Sequence, residues 1–350
     1  MKKPGQGKSQ RKPTIIDVAR AAHVSVMTVS RVINQNETVK PVTRAKVMSA
    51  ISKVGYRPND AARMLKGMPS RTIALILPDL SDFFSSCFHA VQEVALQHDY
   101  QTMVAATGRR EEMEVAQLES VANHRVAGVL IVPSGADSSR GLKVLQQNGV
   151  PVVALDRPVP GLGIDAVLVE NREGAELGVR HLIGHRYKSI ACVAFEKHAY
   201  TVRERIEGYR QAMRRAGLRL QLHDSIDTQE AMEQLVARWV NAKDRPAAVF
   251  STQRISTIRL VRALHHCRLR VPQDIAVVGF DDFELAEVLG TPLTVIAQSP
   301  ADVARTAAEL LFKQIERAQR NEAVEHKPAK IVFPAKLVIR ASCGCTEPSA

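Results

Sequence analysis

Two hydrophobic periodicities divide the chain. In the first 70 residues apolar positions recur at helical spacing. Ile15, Val18, Ala19 and Ala22 share one face, and Thr14 with Asp17 forms the T-x-x-[D/E] pattern that satisfies a helix's first amides. The spacing predicts a helix over about 15–22. After the break at His23-Val24-Ser25, Ser25 can cap a second helix whose Val29, Val32 and Ile33 face inward, leaving Val26, Met27, Ser30 and Arg31 outside. Two short helices joined so tightly make a helix-turn-helix, and the outward face of the second suits a DNA major groove. Pro41 is well placed to open a third helix running to about Val54, with Val47, Ala50, Ile51 and Val54 as its stripe and Gly55 as its stop. Asn59 to Leu65 form a further segment of about two turns, ended by Gly67 and Pro69. So short a helix is marginal alone in water, so it is expected to order only when supported.

From Thr72 the pattern changes to short β-branched runs separated by amphipathic helices. The runs are 73–77, 102–105, 126–132, 152–155, 190–193, 247–250, 275–278 and 295–296, with helices such as 84–97, 111–123, 172–183, 202–216 and 255–266 between them. Continuous apolar strands alternating with helices predict parallel sheets covered on both faces, and there are enough for two. In such sheets ligands sit beyond the carboxyl ends of the strands, and two facing subdomains make a cleft there.

Charge sharpens this division. Residues 1–70 carry 14 Lys/Arg against 3 Asp/Glu, a net +11 of the chain's +12. Concentrated beside a helix-turn-helix, that excess favours phosphate contacts through counterion release and binding that weakens steeply with salt. Residues 1–13 are basic and lack apolar periodicity, as a flexible arm does. No apolar run reaches the roughly 18 residues of a membrane span, and the basic start has no apolar segment after it, so a cytoplasmic protein is expected. Five cysteines, Cys87, Cys192, Cys267, Cys343 and Cys345, show no C-x-x-C and no histidine at finger spacing, which makes reduced thiols the expectation. Cys343-Gly-Cys345 has no other ligand nearby in sequence, so no metal ligand or cofactor is expected. Nucleophile-elbow, phosphate-loop, dinucleotide and H-E-x-x-H motifs are all missing, so no catalytic residue is expected either.

The motifs Asp17-Val-Ala, Val24-Ser25, Thr28-Val-Ser-Arg-Val-Ile-Asn34 and Gly55-Tyr56-Arg-Pro58-Asn59 closely resemble the headpiece of the lactose/purine repressor (LacI) family. The resemblance extends through Arg205-Ile-Glu-Gly208-Tyr209, Val278-Gly-Phe-Asp281-Asp282 and Pro292-Leu-Thr294, so it covers about Thr14 to Arg340. It implies an α/β protein in which an all-α helix-turn-helix headpiece (14–58) and a hinge helix with linker (59–70) precede a periplasmic-binding-protein-like core. That core (71–340) would hold two parallel α/β subdomains, about 71–160 with 299–325 and about 161–298 with 326–340, before a tail at 341–350. The implied function is a sequence-specific transcriptional regulator, a repressor acting as a homodimer on near-palindromic operator DNA, whose affinity is set by a small carbohydrate-derived effector. No leucine-heptad tail follows Arg340, which favours a dimer over a tetramer.

Carried over residue by residue, sequence reading falls to Val26, Met27 and Arg31. Arginine can bridge guanine acceptors, whereas valine and methionine pack on carbon edges. Thr14, Ser25, Thr28, Ser30, Asn34, Tyr56, Asn59 and Ala62 match positioning contacts, and Leu65 aligns with a leucine that wedges into the minor groove. Lys40 stands where relatives often have a capping serine. In the cleft the resemblance points to Asp156, Arg205 and Asp281, a set of acceptors and donors suited to a polyol, with Asp82 and Phe83 lining the same opening. Where relatives often carry Asn-Asp this chain has Thr252-Gln253, followed by Arg254. With Arg157, that departure suggests a more positive cleft and a sugar acid or sugar phosphate.

Overall fold

The computed structural model describes residues 13–33, 38–56, 70–135, 138–320 and 327–345. The chain divides into two compact units, with the division between Ser70 and Arg71. In the first, α1 (Ile15–Ala22), α2 (Val26–Ile33) and α3 (Pro41–Val54) pack Val18, Ala19, Ala22, Val29, Val32, Val47 and Ala50 into one small core. The Asp17 carboxylate accepts hydrogen bonds from the Thr14 amide at 2.8 Å and the Thr14 hydroxyl at 2.7 Å, which fixes the start of α1. His23 adopts a left-handed φ of 51° and ends α1, and the Ser25 hydroxyl accepts from the Thr28 amide at 3.1 Å to open α2. Lys40 caps α3 without a side-chain hydrogen bond, and Pro41 supplies the first helical φ in its place.

The second unit holds two six-stranded sheets. The first contains β1 (Thr72–Leu77), β2 (Gln101–Ala106), β3 (Gly128–Ile131), β4 (Val152–Leu155), β5 (Asp165–Val169) and β11 (Lys330–Phe333), in the order β11-β5-β4-β3-β1-β2, all parallel. The second contains β6 (Ile190–Val193), β7 (Gln221–His223), β8 (Ala248–Ser251), β9 (Ala276–Phe280), β10 (Thr294–Ala297) and β12 (Lys336–Val338), in the order β12-β10-β9-β8-β6-β7, with only β12 antiparallel. Helices α4 (Asp82–Gln97), α5 (Glu111–Asn123), α6 (Ser138–Gln147) and α12 (Pro300–Gln319) accompany the first sheet. Helices α7 (Asn171–Gly184), α8 (Tyr200–Arg215), α9 (Gln229–Val240), α10 (Arg254–His266) and the short α11 (Leu285–Val288) accompany the second. Separate apolar clusters fill both faces of each sheet, as continuous Val/Ile/Leu strands require.

This topology moves the expected subdomain boundaries. β5 and β11 pair in the first sheet, so the first subdomain runs to Val169 and includes 330–333, in place of divisions near 160 and 326. The chain passes between subdomains at Glu170, at Gln298-Ser299 and at Pro334-Ala335. Residues 341–345 are no free tail. The Ser342 hydroxyl accepts from the Thr294 amide and donates to the Val277 carbonyl, and Ser342 and Cys343 are buried.

In the second subdomain α7 and α8 approach so closely that a Cβ at Gly208 would lie 2.2 Å from the Arg172 carbonyl and 2.8 Å from the Ala175 Cβ. Beside it the Tyr209 hydroxyl donates to the Ile190 carbonyl and accepts from the Gln221 amide, tying β6 to β7. Gly208→Ala is therefore expected to destabilise the core by about 3 kcal/mol in urea unfolding, through overpacking against backbone. Gly184→Ala, whose Cβ meets nothing within 4 Å, should change stability by less than about 1 kcal/mol. Equal effects would contradict this packing.

Candidate functional site

The outer face of α2 presents Val26 and Met27, the latter 65% exposed, together with exposed Arg31, which has no protein partner among the described residues. Burial of Val29 and Val32 on the opposite face holds that orientation. Ser25 and Thr28 share a hydrogen bond of 2.9 Å, and the Thr14 hydroxyl donates to Asp17, so all three serve first as helix caps. Ser30 is half-buried, and half-buried Tyr56 packs against the headpiece core. Asn34, Asn59, Ala62 and Leu65 lie outside the described residues.

In the core unit the strand ends converge on a cleft between the two subdomains. Arg205, in the second turn of α8, is only 4% exposed. Its Nε donates to Asn171 Oδ1 at 2.7 Å, and one terminal nitrogen donates to the Thr252 carbonyl at 2.8 Å and to Asp281 at 3.3 Å. The guanidinium lies over the Phe280 ring, 3.7 Å from its centroid. A buried cation needs such compensation, since desolvation of an unpaired charge costs several kcal/mol. The second terminal nitrogen has no partner among the described residues and is left as a donor for a ligand.

Asp281 follows β9 and also accepts from the Arg254 amide at the start of α10 and from Gln298 in the crossing segment. Asp156 follows β4 and is buried, with Arg157 Nε 3.4 Å away. Burial pushes the Asp156 carboxyl up from its ordinary value, and the nearby Asp281 adds to this, although Arg157 and Arg205 pull it down. Asp156, Asp281, Arg109 and Glu196 all sit at the cleft with φ between 54° and 74°. Non-glycine residues in that region are strained or specially held, and they gather at functional sites.

Two arginines span the cleft. Arg109, after β2, pairs with Asp79 of its own subdomain and reaches Glu196, after β6, in the other. Arg254 reaches Asp82, at the start of α4, at 3.2 Å. The inner pocket between the subdomains is about 80 Å³ and is lined by Phe83, Asp156, Arg157, Arg205, Arg254 and Asp281 among others, and beside it a more open hollow of about 620 Å³ is lined by Asp82, Phe83, Asp282 and Arg340 among others. Small-molecule sites run to roughly 300–1,000 Å³, so the inner pocket alone falls below that range.

Most of the expected effector residues thus meet at one place. Two do not line the cavity. Asp82 stands at its mouth, and Thr252 lies beneath Arg205, with its hydroxyl buried and unpaired. The expected shift toward positive potential is corrected, because Arg157 and Arg254 each face a carboxylate, so the lining is balanced in charge. Arg109, Glu196 and Gln298 escaped the sequence reading, since no motif marks them. A larger hollow of about 1130 Å³, lined by Arg262, His265, Arg268 and Leu289 among others, lies at the opposite end of α10 from the cleft and belongs to one subdomain only.

Comparisons with known proteins agree with both features. Residues 14–59 match the family model for bacterial regulatory proteins, lacI family, and residues 179–343 match a periplasmic binding protein-like domain. The chain is 32% identical to the HTH-type transcriptional repressor PurR of Vibrio vulnificus, over 91% of this chain and 97% of that protein. It is 30% identical to the HTH-type transcriptional regulator DegA of Bacillus subtilis, over 95% and 98%. Among solved structures, the lac repressor dimer bound to operator and the anti-inducer ONPF is similar with a TM-score of 0.82 at 26% identity, over 95% of this chain and 99% of that one. The transcriptional regulator CelR–cellobiose complex is similar with a TM-score of 0.68 at 29% identity, over 95% and 100%.

The raised Asp156 pKa has a sign that can be tested. A carboxyl that holds its proton more tightly when folded contributes stability below its unfolded pKa, and that contribution is lost as pH rises through the folded value. Asp156→Asn, which is nearly isosteric and uncharged, is therefore expected to raise the thermal midpoint of the ligand-free chain at pH 7.5. The gain should shrink as pH falls toward the ordinary aspartate range. A loss at pH 7.5, or a gain independent of pH, would contradict the assignment.

Proposed function

The chain belongs to the LacI family of bacterial regulatory proteins and is a DNA-binding transcriptional regulator, not an enzyme; from that premise we propose how its residues divide the work. It acts as a cytoplasmic homodimeric repressor on a near-palindromic operator. Val26, Met27 and Arg31 read base edges in the major groove, and Thr14, Ser25, Thr28, Ser30, Asn34, Tyr56 and Asn59 position the headpiece on the backbone. Ala62 and Leu65 belong to the hinge segment, where Leu65 wedges into the minor groove. Because Val26 and Met27 carry no polar donors, the outer half-site is read by apolar contact and Arg31 by bidentate donation.

The effector occupies the interdomain cleft. The observation that carries this reading is the convergence of buried Arg205 and Asp156 with half-buried Asp281 in the cleft beyond the carboxyl ends of strands from both subdomains. Acceptors and donors placed together in a charge-balanced pocket suit a polyhydroxylated molecule, with Phe83 as a stacking face and Arg157 and Thr252 supporting the cluster. Within a lining balanced in charge, an acidic member of the class has one place to bind. Asp82, the partner of Arg254, is 64% exposed, so an anionic group can displace it. Effector binding exchanges the bridges of Arg109 and Arg254 for ligand contacts, and operator affinity changes through linkage.

Selection of duplexes from a random library, with and without pooled metabolites, tests the reading directly. Arg31→Ala is expected to weaken binding to the selected site by about 1–3 kcal/mol, roughly 5–150-fold, with little change on random DNA. Equal losses on both would remove Arg31 from sequence reading. Calorimetry against a panel of neutral sugars, sugar acids and sugar phosphates addresses the cleft. Arg254→Ala should lower affinity for the acidic members about tenfold or more and spare neutral ones. Tight binding of neutral sugars alone would exclude the acidic effector.

A further inference from the structure

Far from the cleft, four side chains from two distant stretches of sequence meet around one point. His181 and His185 lie four residues apart at the end of α7, so both imidazoles leave the same face, with ring centroids 4.8 Å apart. Opposite them a short 3-10 turn, Ala341–Cys343, leads into Gly344 and Cys345. Gly344 has φ +97°, and an added Cβ there would lie 2.8 Å from the Tyr187 hydroxyl. A glycine at that position lets the chain turn back, so that the thiols on either side of it approach the same pair of histidines.

We propose that His181, His185, Cys343 and Cys345 form a tetrahedral site for a thiophilic divalent cation, Zn²⁺. The candidate ligand atoms lie within 4.8 Å of one another. Cys345 Sγ is 3.2 Å from His185 Nε2 and 3.8 Å from His181 Nε2. A zinc ion with bonds of about 2.3 Å to sulfur and about 2.0–2.1 Å to nitrogen separates its ligands by roughly 3.3–3.8 Å. Those two pairs are close to that spacing already, and the widest separation needs to close by about 1 Å.

The scaffold around the cluster is built to hold it. The Thr294 hydroxyl donates to Cys343 Sγ at 3.1 Å, and the Tyr187 hydroxyl donates to the Cys343 carbonyl at 3.3 Å. Ser342 is pinned by Thr294, Val277 and Pro292, which fixes the turn carrying Cys343. Outer contacts of this kind orient ligands and tune metal affinity. Cys343 is buried, whereas Cys345 and both histidines are half-buried, leaving a way in for the ion. The donor set of two sulfurs and two imidazoles selects zinc over magnesium or calcium, which require oxygen ligands. Four protein ligands close the coordination sphere, so the ion is structural: it staples residues 341–345 to the end of α7. The opposite end of α7 begins at Asn171, the partner of Arg205, so this site is separate from the effector cleft.

The test uses the full chain without a polyhistidine tag, reduced and stripped with a chelator, and titrated with Co²⁺ and then Zn²⁺. One equivalent of cobalt should give the intense thiolate charge-transfer and visible bands of a tetrahedral site, displaced stoichiometrically by zinc and unaffected by magnesium. Cys345→Ser and His185→Gln should each weaken zinc binding by about 100-fold or more, while Cys267→Ser leaves it unchanged. Circular dichroism of each variant separates ligand loss from unfolding, and His181→Gln provides a third variant should one fail to fold. Failure to develop tetrahedral cobalt bands would overturn the proposal. So would bands that persist in the folded ligand variants, or a Cys343–Cys345 disulfide whose reduction restores no binding.

Discussion

One buried guanidinium sets the geometry of the core. Arg205 reaches the first residue of α7 through Asn171, the end of β8 through the Thr252 carbonyl and the end of β9 through Asp281, and it stacks on Phe280. A charge so desolvated needs its hydrogen bonds, a carboxylate and the π-face of a ring in compensation, and these contacts tie the elements that supply them to one another. Asp281 in turn takes the Arg254 amide and Gln298, the latter lying in one of the three crossings between subdomains. The binding cluster and one of the segments that connect the subdomains are therefore part of one hydrogen-bonded network.

The contacts that span the cleft are of a different kind. Arg109 with Glu196 and Arg254 with Asp82 are partly exposed pairs, and such pairs contribute about 0.2–1 kcal/mol each. A densely hydrogen-bonded cluster between weakly bridged subdomains suits a switch, because a ligand can replace the bridges without dismantling the cluster. Local choices at the cleft run against stability. Asp156 is buried with its carboxyl pushed up, Asp156 and Asp281 hold left-handed backbone, and the Thr252 hydroxyl is buried without a partner among the described residues. Departures of this sort concentrate where function constrains the chain.

Legibility in the sequence followed burial for most strands, with β2 an exception: it is a half-exposed edge strand, yet its run 102–105 could be read. β1, β3, β4, β6, β8, β9 and β10 are covered on both faces and stand out as apolar runs. β7, β11 and β12 were missed because they are half-exposed edge strands, and β11 alternates exposed and half-buried positions. β5 is fully buried, yet it opens with Asp165, whose carboxylate accepts from Gln314 and from the Ala329 amide, and that polar start hid the strand and displaced the subdomain boundary. The headpiece caps could be read because capping is local in sequence. The cleft residues could be read only through resemblance, and Arg109 with Glu196 could not be read at all, since their partnership joins two loops 87 residues apart. The same holds for His185 and Cys345, which are 160 residues apart and meet only in the fold. Asn34, Asn59, Ala62 and Leu65 fall outside the described residues.

The cleft and the reading head share one equilibrium. Linkage makes that claim quantitative, because the factor by which an effector changes operator affinity must equal the factor by which operator changes effector affinity. Measuring both with the same purified chain, operator and effector, at one salt concentration, tests it most directly. The expected result is two equal factors of about 5–150, corresponding to about 1–3 kcal/mol of coupling. An effector that binds the cleft tightly, yet with the same affinity in the presence and absence of operator, would contradict it.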